Sequence, residues 1–175
     1  MIIKYSKLYI VFLWKEKIEP RQSSQSILQL GYQFPCQYGD KDYFALIVFN
    51  AMFGEFAHSA LFTTLREKEG LAYSISSQFD IFTGLLEVYA GIEKSNRDQA
   101  MRGISRELNY IKLGRFSSSL LNQTKKIIRM NALLSEDHAL TLVEQRFNKV
   151  IFGDKSLSLE NWLDEIEKVT KKDVC

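Results

Sequence analysis

Two side chains in one short segment have the types and spacing to act on a peptide carbonyl. The segment is Leu61-Phe-Thr-Thr-Leu-Arg66-Glu-Lys-Glu-Gly-Leu-Ala-Tyr73-Ser. Arg66 falls in the last turns of an expected helix. Tyr73 stands just past a glycine turn, at the start of an expected strand. A guanidinium offers several N–H donors in a fixed fork, and a phenol offers one O–H. Aimed at a carbonyl oxygen that is gaining negative charge, the pair could stabilise an oxyanion. On spacing alone a plainer arrangement fits better, with Arg66 paired to Glu67 or Glu69 at the surface and Tyr73 packed in the core.

The residues that would make such a segment part of a self-sufficient hydrolase are missing. A catalytic zinc needs about three converging protein ligands and an open position for water. The chain has two histidines, His58 and His138, eighty residues apart, and neither lies in H-E-x-x-H or H-x-x-E-H. Glu55 and His58 are spaced i,i+3 and could share a helical face, but a helix-start or surface histidine explains His58 more simply. His138, beside Glu136, reads as a first-turn helix residue. There is no G-x-S-x-G, and no local spacing gives a cysteine a histidine partner. Hydrolysis by this chain alone is not expected, and no zinc ligand is assigned to it. Cys36 and Cys175 make neither a disulfide framework nor a C-x-x-C pair, which fits incidental thiols in a reducing compartment.

The positioning elements must come from one domain, since 175 residues supply one real core and too few residues for two large ones. Hydrophobic residues at 46% and charged residues at 25% describe an ordinary soluble chain. A net charge of +2, from 23 basic and 21 acidic residues without a basic block, argues against nucleic acid as a partner. The apolar run Leu8–Trp14 is far shorter than the roughly 20 residues that span a bilayer. Lys15, Glu16 and Lys17 follow it at once, and no small-residue cleavage site appears. The expectation is a cytoplasmic chain with no membrane span.

Residues 2–14 read as one strand, within an N-terminal strand or linker region over 1–22. Ser26–Phe34 reads as a second strand, closed by Pro35, with Leu28, Leu30, Tyr32 and Phe34 on one face. Asp42 is placed to cap an apolar, buried helix from Tyr43 to about Phe53. Ser59 caps a short helix through Lys68, and Gly70 ends it. Ala72–Phe79 and Leu85–Ile92 form a hairpin, with Tyr73, Ile75 and Ser77 expected on one face of the first strand and Leu86, Val88 and Ala90 on one face of the second. Helices follow. One runs from Ser95 or Asn96 to Leu113 with Ala100, Ile104, Leu108 and Ile111 on one side, and the next runs from Ser118 to Leu134. A third runs from Ser135 to Phe152, and a short one from Ser158 to Val169. Thr170 to Asp173 reads as the cap of one more helix at the chain's end, which suggests a domain over 23–175 cut short. The order argues an α+β fold, an antiparallel sheet packed against helices on one face, and not a Rossmann fold.

The segment around Arg66 resembles a motif of the pitrilysin and insulinase family (peptidase family M16), in its C-terminal, non-zinc half. The resemblance runs through Leu61-Phe62, Leu65-Arg66-Glu67-Lys68, Gly70-Leu71-Ala72-Tyr73-Ser74 and the serine-rich strand after them. It extends more loosely over residues 23–174, and the style is that of bacterial processing-protease-like members. It implies a domain resembling the LuxS- and mitochondrial-processing-peptidase-like metallohydrolases. It also implies a zinc-bearing H-x-x-E-H partner half, in the same chain or a separate subunit, closing with this half around a peptide substrate. Arg66 and Tyr73 then map onto auxiliary residues that reach the substrate and its tetrahedral intermediate at the partner's zinc. Ala60 stands where the family often has an arginine, so no second positive contact is implied. Two readings follow. One is the non-catalytic half of a zinc metallopeptidase. The other is a catalytically inactive structural or peptide-binding member of the same family.

Overall fold

The alternation in Ser26–Gln33 sets the sheet. Leu28, Leu30 and Tyr32 turn toward the core and Ile27, Gln29, Gly31 and Gln33 face out, as the two-residue period of a strand requires. The structure is a computed structural model and describes residues 2–5, 8–11, 15–20, 23, 25–34, 36–136, 138–153 and 156–175, the first two of these stretches as backbone. Trp14 and Pro35, expected to end strands, lie outside the described residues. Ser26–Gln33 is β3. It pairs antiparallel with β5 (Leu85–Ile92), which pairs antiparallel with β4 (Ala72–Asp80), so the sheet order is β3-β5-β4. The β4–β5 turn is held by the Asp80 carboxylate, which accepts hydrogen bonds from the Phe82 N–H and the Thr83 hydroxyl, both at 2.8 Å.

The N-terminal segment differs from the single strand expected. β1 (Ile2–Tyr5) and β2 (Leu8–Val11) pair antiparallel with Ile2 opposite Val11. β-branched and aromatic composition marks extended backbone, but it does not say whether that backbone folds back on itself.

Helices cover one face of the sheet. α1 (Tyr43–Asn50) runs directly into a π-helical segment, Ala51–Glu55. Its apolar sequence is buried almost all round, with Val48, Ala51, Met52 and Phe53 fully enclosed. The Asp42 side chain makes no cap here. Asp42 precedes the helix at φ −94° and ψ 1°, and its carbonyl accepts from Leu46 N, while the nearby Asp40 carboxylate takes the Gln37 N–H. α2 (Arg97–Lys112) buries Ala100, Ile104, Leu108 and Ile111 as its spacing predicts. The other face of the sheet exposes Gln29, Ser76 and Gln78. One wet face and one covered face are usual for an antiparallel sheet.

α3 (Ser118–Ser135) is capped by Ser117, whose hydroxyl accepts from Leu120 N at 3.1 Å. It extends through Ser135, so the next helix, α4 (Ala139–Phe152), starts after His138 and not at Ser135. A hydroxyl able to cap a helix can equally continue one when the preceding turn is already formed. α5 (Leu159–Lys168) is capped by the Ser158 hydroxyl, and α6 (Lys171–Val174) opens on a capping box between Thr170 and Asp173.

Two contacts bind the helical layer. Gly54 lies against β4, where an added Cβ would come within 2.6 Å of Ser77 Oγ, 2.8 Å of Ser77 N and 2.9 Å of Leu61 Cδ1. His58 Nε2 lies 3.0 Å from the buried Thr124 hydroxyl, tying the connection after the π-helical segment to α3. Gly54→Ala should therefore lower unfolding free energy by about 2 kcal/mol, because overpacking against backbone cannot relax by a rotamer change. A urea melt with unchanged slope would show it. Burial lowers the pKa of His58 from 6.5. As pH falls below 6.5 the unfolded chain binds the proton first, so this contribution to stability is complete above 6.5 and declines below it. His58→Gln should flatten that decline in urea melts taken on either side of pH 6.5.

Candidate functional site

Arg66 is placed by a second π-helical segment, Phe62–Lys68. Ser59 opens it: its buried hydroxyl accepts from Phe62 N at 3.4 Å, and its carbonyl accepts from the Thr63 hydroxyl at 2.8 Å. Leu65 is fully buried and lies against Gly103 of α2, where an added Cβ would be 3.2 Å from Leu65 Cγ. Burying Leu65 turns the next residue, Arg66, outward, and it is exposed. Its guanidinium carbon sits 4.5 Å from the centroid of the Phe62 ring, a cation–π contact. Among the described residues no carboxylate pairs with it. Glu69 is bonded instead to Arg106 Nη2 at 2.7 Å, so the plainer arrangement, Arg66 closed on Glu67 or Glu69, is not the one adopted.

The segment ends as its glycine dictates. Glu69 N bonds the Thr64 carbonyl at 2.9 Å and Leu71 N the Leu65 carbonyl at 2.8 Å. Gly70 takes φ +62°, a left-handed conformation that suits glycine. β4 begins two residues later with a bulge. Ala72 stands opposite Ile92 and Ser74 opposite Gly91, which leaves Tyr73 as the extra residue. The expected face of Tyr73, Ile75 and Ser77 is thereby broken. Ala72, Ile75 and Ser77 are buried and Tyr73 is 56% exposed. The bulge sets Ser74 against Gly91, where an added Cβ would meet Ser74 Oγ at 2.7 Å. Arg66 and Tyr73 thus stand exposed on either side of one tight turn.

The residues with metal-ligand chemistry are not gathered there. Glu55 and His58 have separate partners. The Glu55 carboxylate accepts from Asn50 Nδ2 at 2.8 Å, and Asn50 Oδ1 accepts from the Ser77 hydroxyl at 2.7 Å. Burial raises the Glu55 pKa, and the Asn50 amide partly offsets it. His58 stacks on Phe56 and faces Thr124. His138 is the exposed residue that precedes α4, one place before the first turn. The described residues contain no group of three or more His, Cys, Asp or Glu placed to hold a metal. Cys36 is buried, and burial with Asp40 and Asp42 pushes its thiol up to about 11, far from the thiolate a nucleophile needs. What the arrangement can do is donate hydrogen bonds from Arg66 and Tyr73 to an acceptor brought to the surface.

Three supporting features were not evident from the sequence reading. The Phe62 ring under Arg66 had a visible signal in its i,i+4 spacing. The bulge lies in the pairing of two strands, and the Glu69–Arg106 pair joins residues 37 positions apart.

Residues 7–128 match the family model described as the peptidase M16 inactive domain. The chain is 40% identical over 160 residues to a Bacillus subtilis (strain 168) protein named "Probable inactive metalloprotease YmfF", a match covering 91% of this chain and 37% of that protein. It is 25% identical over 151 residues to the "Uncharacterized zinc protease YmxG" of the same organism, covering 85% of this chain and 37% of the relative. A crystal structure of a conserved protein from Enterococcus faecalis V583 superposes with a TM-score of 0.82 at 40% identity, over 87% of this chain and 36% of that one. The chain spans little more than a third of the length of these relatives. With the α+β sheet and the Arg66–Tyr73 turn in place, the chain belongs to peptidase family M16, as its inactive domain.

Proposed function

We propose that this domain, over residues 23–175 with 1–22 as its N-terminal strand or linker, is the non-catalytic half of a cytoplasmic zinc metallopeptidase. The zinc and its H-x-x-E-H ligands belong to a partner half, in a longer chain or a separate subunit. This half binds the peptide substrate and contributes Arg66 and Tyr73 as auxiliary donors during proteolysis. The observation that carries the reading is the exposed guanidinium of Arg66, without a carboxylate partner among the described residues, on one side of the Gly70 turn and an exposed Tyr73 on the other. An arginine without a carboxylate keeps its N–H donors for a substrate oxygen, and donors aimed at a developing negative charge are among the strongest sources of rate enhancement. Zinc bound by the partner would polarise the carbonyl, while Arg66 and Tyr73 orient the peptide and bond its oxygen. A partner is also supported by α4, whose Leu140, Val143, Phe147 and Val150 are all exposed, an apolar surface of the kind that association covers. Among the described residues no helix is long and apolar enough to cross a membrane.

A second reading is favoured by the 40% identical relative, whose printed name calls it an inactive metalloprotease. In it the domain binds or scaffolds peptides and the assembly never cleaves them.

One comparison separates the two. In an assembly with a zinc-bearing half, Arg66→Ala should lower peptide turnover by about 100-fold, and Tyr73→Phe by roughly tenfold, a neutral donor being weaker than a charged one. Both should leave the thermal unfolding free energy within about 0.5 kcal/mol, because both side chains are exposed. No cleavage by any zinc-loaded assembly containing this chain would leave the second reading standing.

A further inference from the structure

We infer that Phe62, Glu69 and Arg106 are positioning residues for Arg66: the Phe62 ring supports its guanidinium, and Arg106 takes the Glu69 carboxylate that would otherwise close on it. The inference rests on the role proposed above for Arg66.

In an α-helix, residues three and four apart are neighbours. Phe62 precedes Arg66 by four and Glu69 follows it by three, so in α-helical winding the ring and the carboxylate would compete for one guanidinium. The backbone over Phe62–Lys68 is π-helical. Its hydrogen bonds reach from i to i+5, so it turns less per residue. A residue four places away then stays near the same face, while one three places away is carried further round. The winding favours Phe62, and the guanidinium carbon lies 4.5 Å from that ring's centroid.

The second device comes from α2. Leu65 packs on Gly103, and Arg106 lies one turn further along the same helix. Its Nη2 holds Glu69 at 2.7 Å and its Nε holds Glu107 at 2.9 Å. Glu107 is buried, which fixes the Arg106 guanidinium in turn. Glu69 sits at the C-terminal end of the π-helical segment, drawn toward α2. Arg66 is left with a ring on one side and its N–H donors unbonded within the described residues.

The test combines turnover by the assembly of this chain with its zinc-bearing half and the NMR signal of the Arg66 Nε–H in the 175-residue chain. Phe62→Leu should lower kcat about threefold with little change in KM, in keeping with an exposed cation–π contact, and Phe62→Tyr should restore it. Arg106→Gln should lower kcat by roughly twofold and move the Arg66 Nε–H signal to a paired position, an i,i+3 ion pair being weak. Adding Glu69→Gln to Arg106→Gln should return both readouts to wild type. A purely structural tether between α2 and the π-helical segment gives the opposite pattern: Glu69→Gln alone does as much harm as Arg106→Gln, and the double variant is no better. That pattern, or a wild-type signal in both Phe62→Leu and Arg106→Gln, overturns the inference. If Arg66→Ala leaves turnover unchanged, the proposed function fails by itself. The Nε–H signal needs neither partner nor turnover and still decides whether Phe62 and Arg106 hold Arg66 unpaired.

Discussion

The close approach of Gly54 to β4 governs the geometry of this domain. With no Cβ at that position, the Ser77 hydroxyl and backbone and the Leu61 side chain can all meet the π-helical segment that follows α1. The contact fixes three things together: the depth at which the buried helix lies on the sheet, the start of the π-helical segment that carries Arg66, and the line of β4 leading back to Tyr73. The polar chain from Ser77 through Asn50 to Glu55 lies alongside it, so the approach is satisfied by hydrogen bonds as well as by packing. Buried polar groups of this kind are costly when unpaired and rigidifying when paired. The short route from Gly54 to Tyr73 is therefore stiff, and its two exposed donors are held by a stiff frame.

Within that frame Arg66 and Tyr73 are exposed hydrogen-bond donors. Candidate nucleophiles and ligands are committed elsewhere: Cys36 to the core, Glu55 to Asn50, His58 to Thr124. Among the described residues Arg66 and Tyr73 have no polar side-chain partner. A π-helical segment and a β-bulge flank the same turn, and both are irregularities that re-aim side chains and recur at functional sites. Each departs from the regular pattern by about one residue, and each moves one side chain outward.

Much of the architecture was legible in the sequence because it follows from periodicity. The inner faces of β3 and β5, the buried stripe of α2 and the all-round burial of α1 come directly from the spacing of apolar residues. Gly70 and Gly114 end their elements with positive φ, as glycine placement suggests. Arg66 and Tyr73 could be singled out by residue type and by family resemblance. Their surroundings could not. Apolar spacing does not separate π from α winding over a single turn, so the preference of Arg66 for Phe62 over Glu69 was invisible. A strand's period predicts alternation through Tyr73, and the bulge that breaks it arises in the pairing with another strand. The helix read up to Phe152 is present as α4, yet none of its side chains is buried in this chain, because what would cover an apolar face is not written in that face.

The central claim is that the turn between Arg66 and Tyr73 meets a peptide at a partner's active site. The most direct measurement replaces Tyr73 with a photo-crosslinking benzoylphenylalanine in an assembly of this chain and its zinc-bearing half, irradiates it with a substrate peptide bound, and maps the crosslinks by mass spectrometry. The account predicts crosslinks to the peptide near its scissile bond. Crosslinks confined to this chain, or none to the peptide while it is being cleaved, would contradict it.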